Sequence, residues 1–399
     1  MLDGVILRKG LVMKKWLSII IFALVAPLLC AQDPGAEVRK ALQPYLDRGE
    51  LPGFVVIVAD GDKVLYSDCL GYSNIEKQQK TSLEGLYWMA SQTKSVSATA
   101  LMMLVDEGKI DLDAPISTYL PELKKMTVVR NQSSSSLEMD YTTKPITVRM
   151  LLSHTSGMTK HDGIVSAMGK MDIYSFSVGT YATALTPLLF QPGEGYHYTN
   201  QGINTAMAVV EKMSGMTYSE FLQERLFDPL EMGSATFWPS VKQQEKLAVP
   251  YRYEEGKLVA SEFQNFQTPL EECAKRFANA GGGLFCAPED MVKFYQMIAG
   301  GGLYNGKRYL SEQAIDIMGS KQTPASRKEP YGLCWRVVDG YMGHGGAGGT
   351  YASVYRKRGI TILYFICMQG KSKGREALKA YETAVKKSYG ITDKSIIDF

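Results

Sequence analysis

The run YWMASQTKSVSATALMMLVDEG, Tyr87 to Gly108, carries a single charge, Lys94, between Met89 and Val105. From Ser91 onward it has helical length and contains no proline. Asp106 and Glu107 precede a glycine at its end, a common way for a helix to stop. The spacing therefore predicts a largely buried helix that begins near Ser91. An unpaired ammonium in such a place is costly. The chain accepts that cost either by pairing Lys94 or because it needs a lysine of lowered pKa. Ser91 stands three residues earlier, on the same helix face and within side-chain reach. A serine hydroxyl beside a lysine amine is one way to build an activated nucleophile. The plainer reading is a capping Ser91 and a Lys94 that snorkels to solvent.

On the N-terminal side, residues 54–59 and 63–69 read as strands joined by the turn Asp60-Gly61-Asp62, after a helix over 36–46. On the C-terminal side, β-rich runs at 352–355 and 361–367 flank Lys357-Arg358-Gly359, and a helix over 374–389 closes the chain. Helical patterns lie between, at 147–152, 201–214, 218–226, 288–298 and 311–318. The polar stretch 130–144, with serines at 133–136, reads as a surface loop. No internal repeat is present. Strands at both ends with helices between predict an α+β fold. Its central antiparallel sheet is built from the N- and C-terminal segments, flanked by helices, and carries a mostly helical inserted subdomain. The expected division is one domain over 32–399, with an α/β part at about 36–80 and 287–390 and a helical part at about 81–286.

Lys14 and Lys15, the apolar run 16–29 and the exit Cys30-Ala31-Gln32 read as a secretory signal peptide over 1–31. The stretch is short for a membrane span. An anchor helix and a lipid-bearing Cys30 are the alternatives. The reading implies a periplasmic or secreted protein with no stable span after cleavage. The full chain has 44 basic and 41 acidic residues. Removing Arg8, Lys9, Lys14, Lys15 and Asp3 leaves equal numbers of each, so nothing points to a nucleic-acid partner. Cys69, Cys273, Cys286, Cys334 and Cys367 are scattered, with no CxxC pair, and read as buried thiols. His154, His161, His197 and His344 show no metal spacing, so neither metal nor cofactor is expected.

Ser91-Gln92-Thr93-Lys94 is the sole Ser-x-x-Lys of the chain. A second element is Tyr198-Thr199-Asn200, in a Pro192-Gly193-Glu194-Gly195 loop that leads into a helix. A tyrosine there can carry protons, and the asparagine can donate to a substrate and hold the lysine. Tyr72-Ser73-Asn74 has the same pattern at the end of the first hairpin. The third element is His344-Gly345-Gly346, before a strand, where glycines allow close backbone approach and an amide can serve as an oxyanion donor. His154-Thr155-Ser156-Gly157 competes with it but ends a helix. No Gly-x-Ser-x-Gly elbow occurs, and GGLYNGKR, 301–308, has Arg308 where a phosphate loop needs Ser or Thr.

The order Ser91-x-x-Lys94, Tyr198-x-Asn200, His344-x-Gly346 resembles the serine β-lactamase superfamily, specifically class C β-lactamases, DD-peptidases and family VIII carboxylesterases. ITVRMLLSHTSGM, PGEGYHYTNQGINTAMAVVEKMSG, ANAGGGLFCAPEDMVKFYQMI and YGLCWRV look like family stretches, so the likeness covers about 36–389. The resemblance implies an acyl-enzyme on Ser91, with Lys94 preparing it for deprotonation. It implies Tyr198 as general base and then acid, and Asn200 as a substrate-positioning group. His344 and Gly346 fill the third motif, and Ala347 supplies an oxyanion amide. Class C enzymes carry Lys-Thr-Gly there. The His-Gly-Gly of this chain lacks the lysine charge and the hydroxyl, which favours small esters, amides or peptides over β-lactams. The expectation is an exported serine acyl hydrolase whose action on carboxylate-bearing substrates improves as pH falls through the His344 titration. A β-lactamase or D-Ala-D-Ala-type peptidase is the alternative within the class. A catalytically silent binding or sensor protein is the alternative outside it.

Overall fold

The computed structural model describes residues 34–133, 135–159, 171–263, 266–326, 328, 330–338, 340–370 and 373–393. The signal-peptide reading over 1–31 and His161 lie outside them. Seven strands form the main sheet: β1 (Gly53–Ala59), β2 (Val64–Asn74), β3 (Gln79–Lys80), β4 (Arg336–Val338), β5 (Tyr341–Gly345), β6 (Tyr351–Tyr355) and β7 (Ile360–Phe365). Their order is β4-β5-β6-β7-β1-β2-β3. Every pairing is antiparallel, and the β1–β7 ladder, Val55 opposite Phe365 to Ala59 opposite Thr361, joins the two ends of the chain. The expected α+β architecture with a sheet built from both termini is therefore present.

β1 is buried along its whole length. Side chains alternate across a strand, so Val55, Ile57 and Ala59 enter the larger core while Phe54, Val56 and Val58 enter a second one. Helices cover both faces: α1 (Pro34–Asp47) and a C-terminal helix (Lys373–Tyr389) on the second core, α2 (Thr93–Asp106) and the helix Pro288–Ala299 on the first. A strand covered on both sides needs a continuous apolar run, which GFVVIVA provides. The first hairpin turns where expected, with Asp60 Oδ1 accepting from the amides of Asp62 and Lys63 at 2.9 and 2.8 Å.

Two sequence readings are corrected. The 130–144 stretch is no loop but the greater part of a hairpin, Thr127–Gln132 against Leu137–Tyr141. It is exposed on both faces over most of its length, so no alternation announces it. His344-Gly345-Gly346 does precede a strand, β6, but His344 and Gly345 themselves lie in strand β5, which the sequence reading missed. Glycines at 343 and 345 hide its β character from a propensity reading.

The helix expected near Ser91 opens with a 3₁₀ turn, Ala90–Gln92, and continues as α2. Residues Thr93 to Leu104 are buried on every side, which makes α2 the central helix of the larger core. Gly108, at φ +70°, ends it as the sequence indicated.

Candidate active site

Ala90, just before Ser91, has φ +46°, an uncommon and strained conformation for a side-chain-bearing residue. Surrounding bonds hold it. Met89 N donates to Leu284 O at 2.9 Å, Trp88 Nε1 to Gly282 O at 2.7 Å and Thr93 Oγ1 to Ala90 O at 2.6 Å. The turn presents Ser91 to a pocket lined also by Trp88, Asn200, Phe266, Gly281 and Ala347.

Lys94 is fully buried. Its Nζ lies 3.3 Å from Ser91 Oγ and donates to Gly281 O at 2.5 Å. No carboxylate pairs with it among the described residues. Burial pushes its pKa down from 10.5 to about 7. The same Nζ stands 4.7 Å from the centre of the Tyr198 ring. Tyr198 leaves 39% of its surface open, yet its hydroxyl is enclosed beside Ser91. Burial raises that hydroxyl above its ordinary value, and the bond with Ser91 opposes the rise. At neutral pH Tyr198 is therefore a phenol, and Lys94 is the group with an available lone pair.

Asn200 is the first residue of α3 (Asn200–Ser214), whose start is capped by Thr199 Oγ1 accepting from Gln201 N at 3.2 Å. Its side chain fits only because residue 281 is glycine: a Cβ there would lie 2.4 Å from the Asn200 amide carbon. Gly281 N in turn donates to Asn279 Oδ1 at 2.8 Å.

The third motif behaves differently from its sequence reading. His344 is buried, with Nδ1 2.8 Å from Gly345 O and Nε2 3.0 Å from the Tyr331 hydroxyl. A carbonyl only accepts, so Nδ1 carries the proton and Tyr331 donates to Nε2. Burial, aided by Lys94, lowers the ring's pKa to about 3. His344 thus stays neutral, and the expected gain on carboxylate-bearing substrates through its titration is corrected. Gly346 brings its backbone against the chain itself rather than a ligand. A Cβ there would meet Met89 O and Thr350 Oγ1, each at 2.4 Å. This contact docks the motif on the nucleophile turn. Ala347 is exposed in the Ser91 pocket, and its amide finds no acceptor among the described residues.

The structure brings Ser91, Lys94, Tyr198, Asn200 and Ala347 to one place, with His344 and Gly346 behind them. Tyr72 sits elsewhere, in β2, under Lys80 Nζ at 3.8 Å. Three participants escaped the sequence reading. The Gly281 carbonyl holds Lys94, and its signal was the triple glycine 281–283. Tyr331 fixes the His344 ring. His154, the rival histidine, packs its ring 4.4 Å from that of Tyr198 and accepts from Thr199 N at 3.4 Å. Cys273, Cys286, Cys334 and Cys367 are buried free thiols, and Cys69 is half-buried. Among the described residues no cluster of His, Cys, Asp or Glu suits a metal, and no helix is long and apolar enough to cross a membrane.

Comparison with known proteins follows the same geometry. The beta-lactamase family profile matches residues 38–385. An uncharacterized Mycobacterium tuberculosis protein is 28% identical over 285 residues, covering 70% of each chain. The lovastatin esterase of Penicillium rubens is 30% identical over 211 residues, half of this chain and 52% of its own length. Among solved structures, simvastatin synthase LovD from Aspergillus terreus superposes with a TM-score of 0.75 at 18% identity, covering 91% of this chain and all of LovD. EstCE1, a hydrolase with promiscuous acyltransferase activity, gives 0.75 at 19% identity over 89% of this chain and 99% of its own.

Proposed function

The chain belongs to the beta-lactamase family of serine hydrolases, and on that premise we propose that it cleaves small-molecule esters or amides through an acyl-enzyme on Ser91. The observation that carries this reading is the uncharged-leaning Lys94 amine, sealed from water with its Nζ 3.3 Å from Ser91 Oγ. Ser91 Oγ attacks the substrate carbonyl carbon and its proton passes to Lys94. The oxyanion that forms faces the amides of Ser91 and Ala347. Tyr198, a phenol at rest, gives its proton to the leaving group and regains one from the Lys94 ammonium. Water then attacks the acyl-enzyme. Its proton follows the same route in reverse, and Ser91 leaves protonated with the acid released. Asn200 positions the substrate beside Gly281.

The names of the lovastatin esterase and of EstCE1 support esters as the substrate class. The missing lysine in the third motif also argues against β-lactams. Export belongs to the same proposal, resting on the leader read over 1–31, and N-terminal sequencing of secreted material starting near Gln32 checks it. For the nucleophile, intact-mass measurement after treatment with a neutral 4-nitrophenyl alkylphosphonate should show one adduct, lost in Ser91→Ala. An adduct that survives the substitution overturns the assignment.

A further inference from the structure

Tyr198 is held from both sides by one residue that the mechanism above does not use. His197 N donates to His154 O at 2.9 Å, and Thr199 N donates to His154 Nδ1 at 3.4 Å. The amides just before and just after Tyr198 thus both end on His154. The His154 ring lies 4.4 Å from the Tyr198 ring, centre to centre, tilted by 45°. On its other side, at 5.1 Å, is the ring of Tyr331, whose hydroxyl bonds His344 of the third motif. Next to His154, Thr155 O accepts from Gly193 N at 2.8 Å and anchors the near end of the same loop.

The fold accepts several costs to keep a histidine at this position. Residue 154 follows the helix Val148–Leu152 with φ +60°, a left-handed conformation that glycine or asparagine adopts more cheaply. The side chain is buried. Nδ1 accepts from Thr199, so the proton of the neutral ring sits on Nε2, which has no hydrogen-bond partner among the described residues. Burial, aided by the Lys94 charge, keeps the ring neutral, and only a neutral ring can accept at Nδ1. Backbone strain of this kind persists where the surroundings over-determine it, and it gathers at functional sites. Glycine or asparagine would end the helix as well. Neither would supply a ring against Tyr198.

We propose that His154 is a positioning residue for Tyr198, clamping the two flanking amides and the ring so that the phenol points at the leaving group. The proposal rests on the reading of Tyr198 as the acid of the Ser91 reaction. As the bond from the carbonyl carbon to the leaving oxygen breaks, the electron pair goes to that oxygen and the Tyr198 proton follows it. His154 itself takes no proton.

The test uses two esters with the same acyl group and different need for that proton, on the full chain. 4-Nitrophenyl butyrate expels a stabilised phenolate, whereas ethyl butyrate expels an alkoxide that has to be protonated. The quantity read is kcat/KM, which reports acylation, per Ser91 site titrated with the neutral phosphonate, so unfolded protein drops out. His154→Asn keeps a residue suited to the left-handed turn and an acceptor, but removes the ring. It should lower the rate on ethyl butyrate about tenfold and on 4-nitrophenyl butyrate by less than about threefold. His154→Ala should widen that gap, and Tyr198→Phe should show the same pattern more strongly. In the Tyr198→Phe background, His154→Asn should change neither ester by more than about twofold, because the group it positions is already gone. Should His154→Ala yield too little titratable protein, the asparagine variant and the double variant decide the question. An equal fall on both esters, no fall on ethyl butyrate, or a full further fall in the Tyr198→Phe background overturns the clamp alone. If Tyr198→Phe itself spares ethyl butyrate, the acid role of Tyr198 fails and the proposal fails with it.

Discussion

Replacing Lys94 with Met should destroy turnover and at the same time stabilise the fold. An exposed lysine titrates near 10.5 and the buried one at about 7. Between those values the unfolded chain binds a proton that the folded chain does not, so stability rises with pH across that window. The burden on the wild-type fold is then about 4 kcal/mol at pH 7 and about 2 kcal/mol at pH 9. Methionine has similar length, adapts to apolar surroundings and carries no charge. Its substitution leaves Gly281 O without the Lys94 donor, a loss of about 1–3 kcal/mol. The net gain at pH 7 is therefore about 1–3 kcal/mol, and it should shrink by about 2 kcal/mol by pH 9. Denaturant unfolding followed by circular dichroism at both pH values measures this, with ester turnover recorded on the same samples. A Lys94→Met protein that is less stable than wild type at pH 7, by a margin indifferent to pH, would refute the reasoning and show that the ammonium is well solvated or paired.

Other outcomes follow from the same geometry. Tyr198→Phe should lower kcat by about 10²-fold or more with little change in stability, whereas Tyr72→Phe should leave turnover intact; the reverse result would show that the wrong tyrosine was chosen. With Lys94 as the resting base, kcat/KM should rise with unit slope below about pH 7 and level off above it. A profile that inflects near pH 3 instead would implicate His344. Gly281→Ala should cost about 1–3 kcal/mol and most of the activity, because its Cβ would fall 2.4 Å from Asn200; thermal unfolding and turnover check this together. Gly346→Ala should separate the third motif from the nucleophile turn, so phosphonate labelling of Ser91 should slow while the rest of the fold persists by circular dichroism.

The elements that obey a short period were legible in the sequence. β1 declared itself through an unbroken apolar run, and α2 through helical length around one lysine. The paired catalytic candidates declared themselves through fixed spacing within single turns. Elements without such a period were lost: the exposed hairpin at Thr127–Tyr141 has no buried face, and β5 has glycines in place of β formers.

The sequence by itself determined the class of chemistry, because Ser91 and Lys94 are neighbours on one turn and need nothing distant to meet. Only the tertiary structure decided that the Gly281 carbonyl holds the lysine across 187 positions and that Tyr331 fixes His344 as a neutral ring. The physical reason is that spacing along the chain records only the contacts a residue makes within its own helix or strand. Burial, pKa and hydrogen-bond partners are set by whichever segments the packed core brings alongside, and those leave no periodic mark.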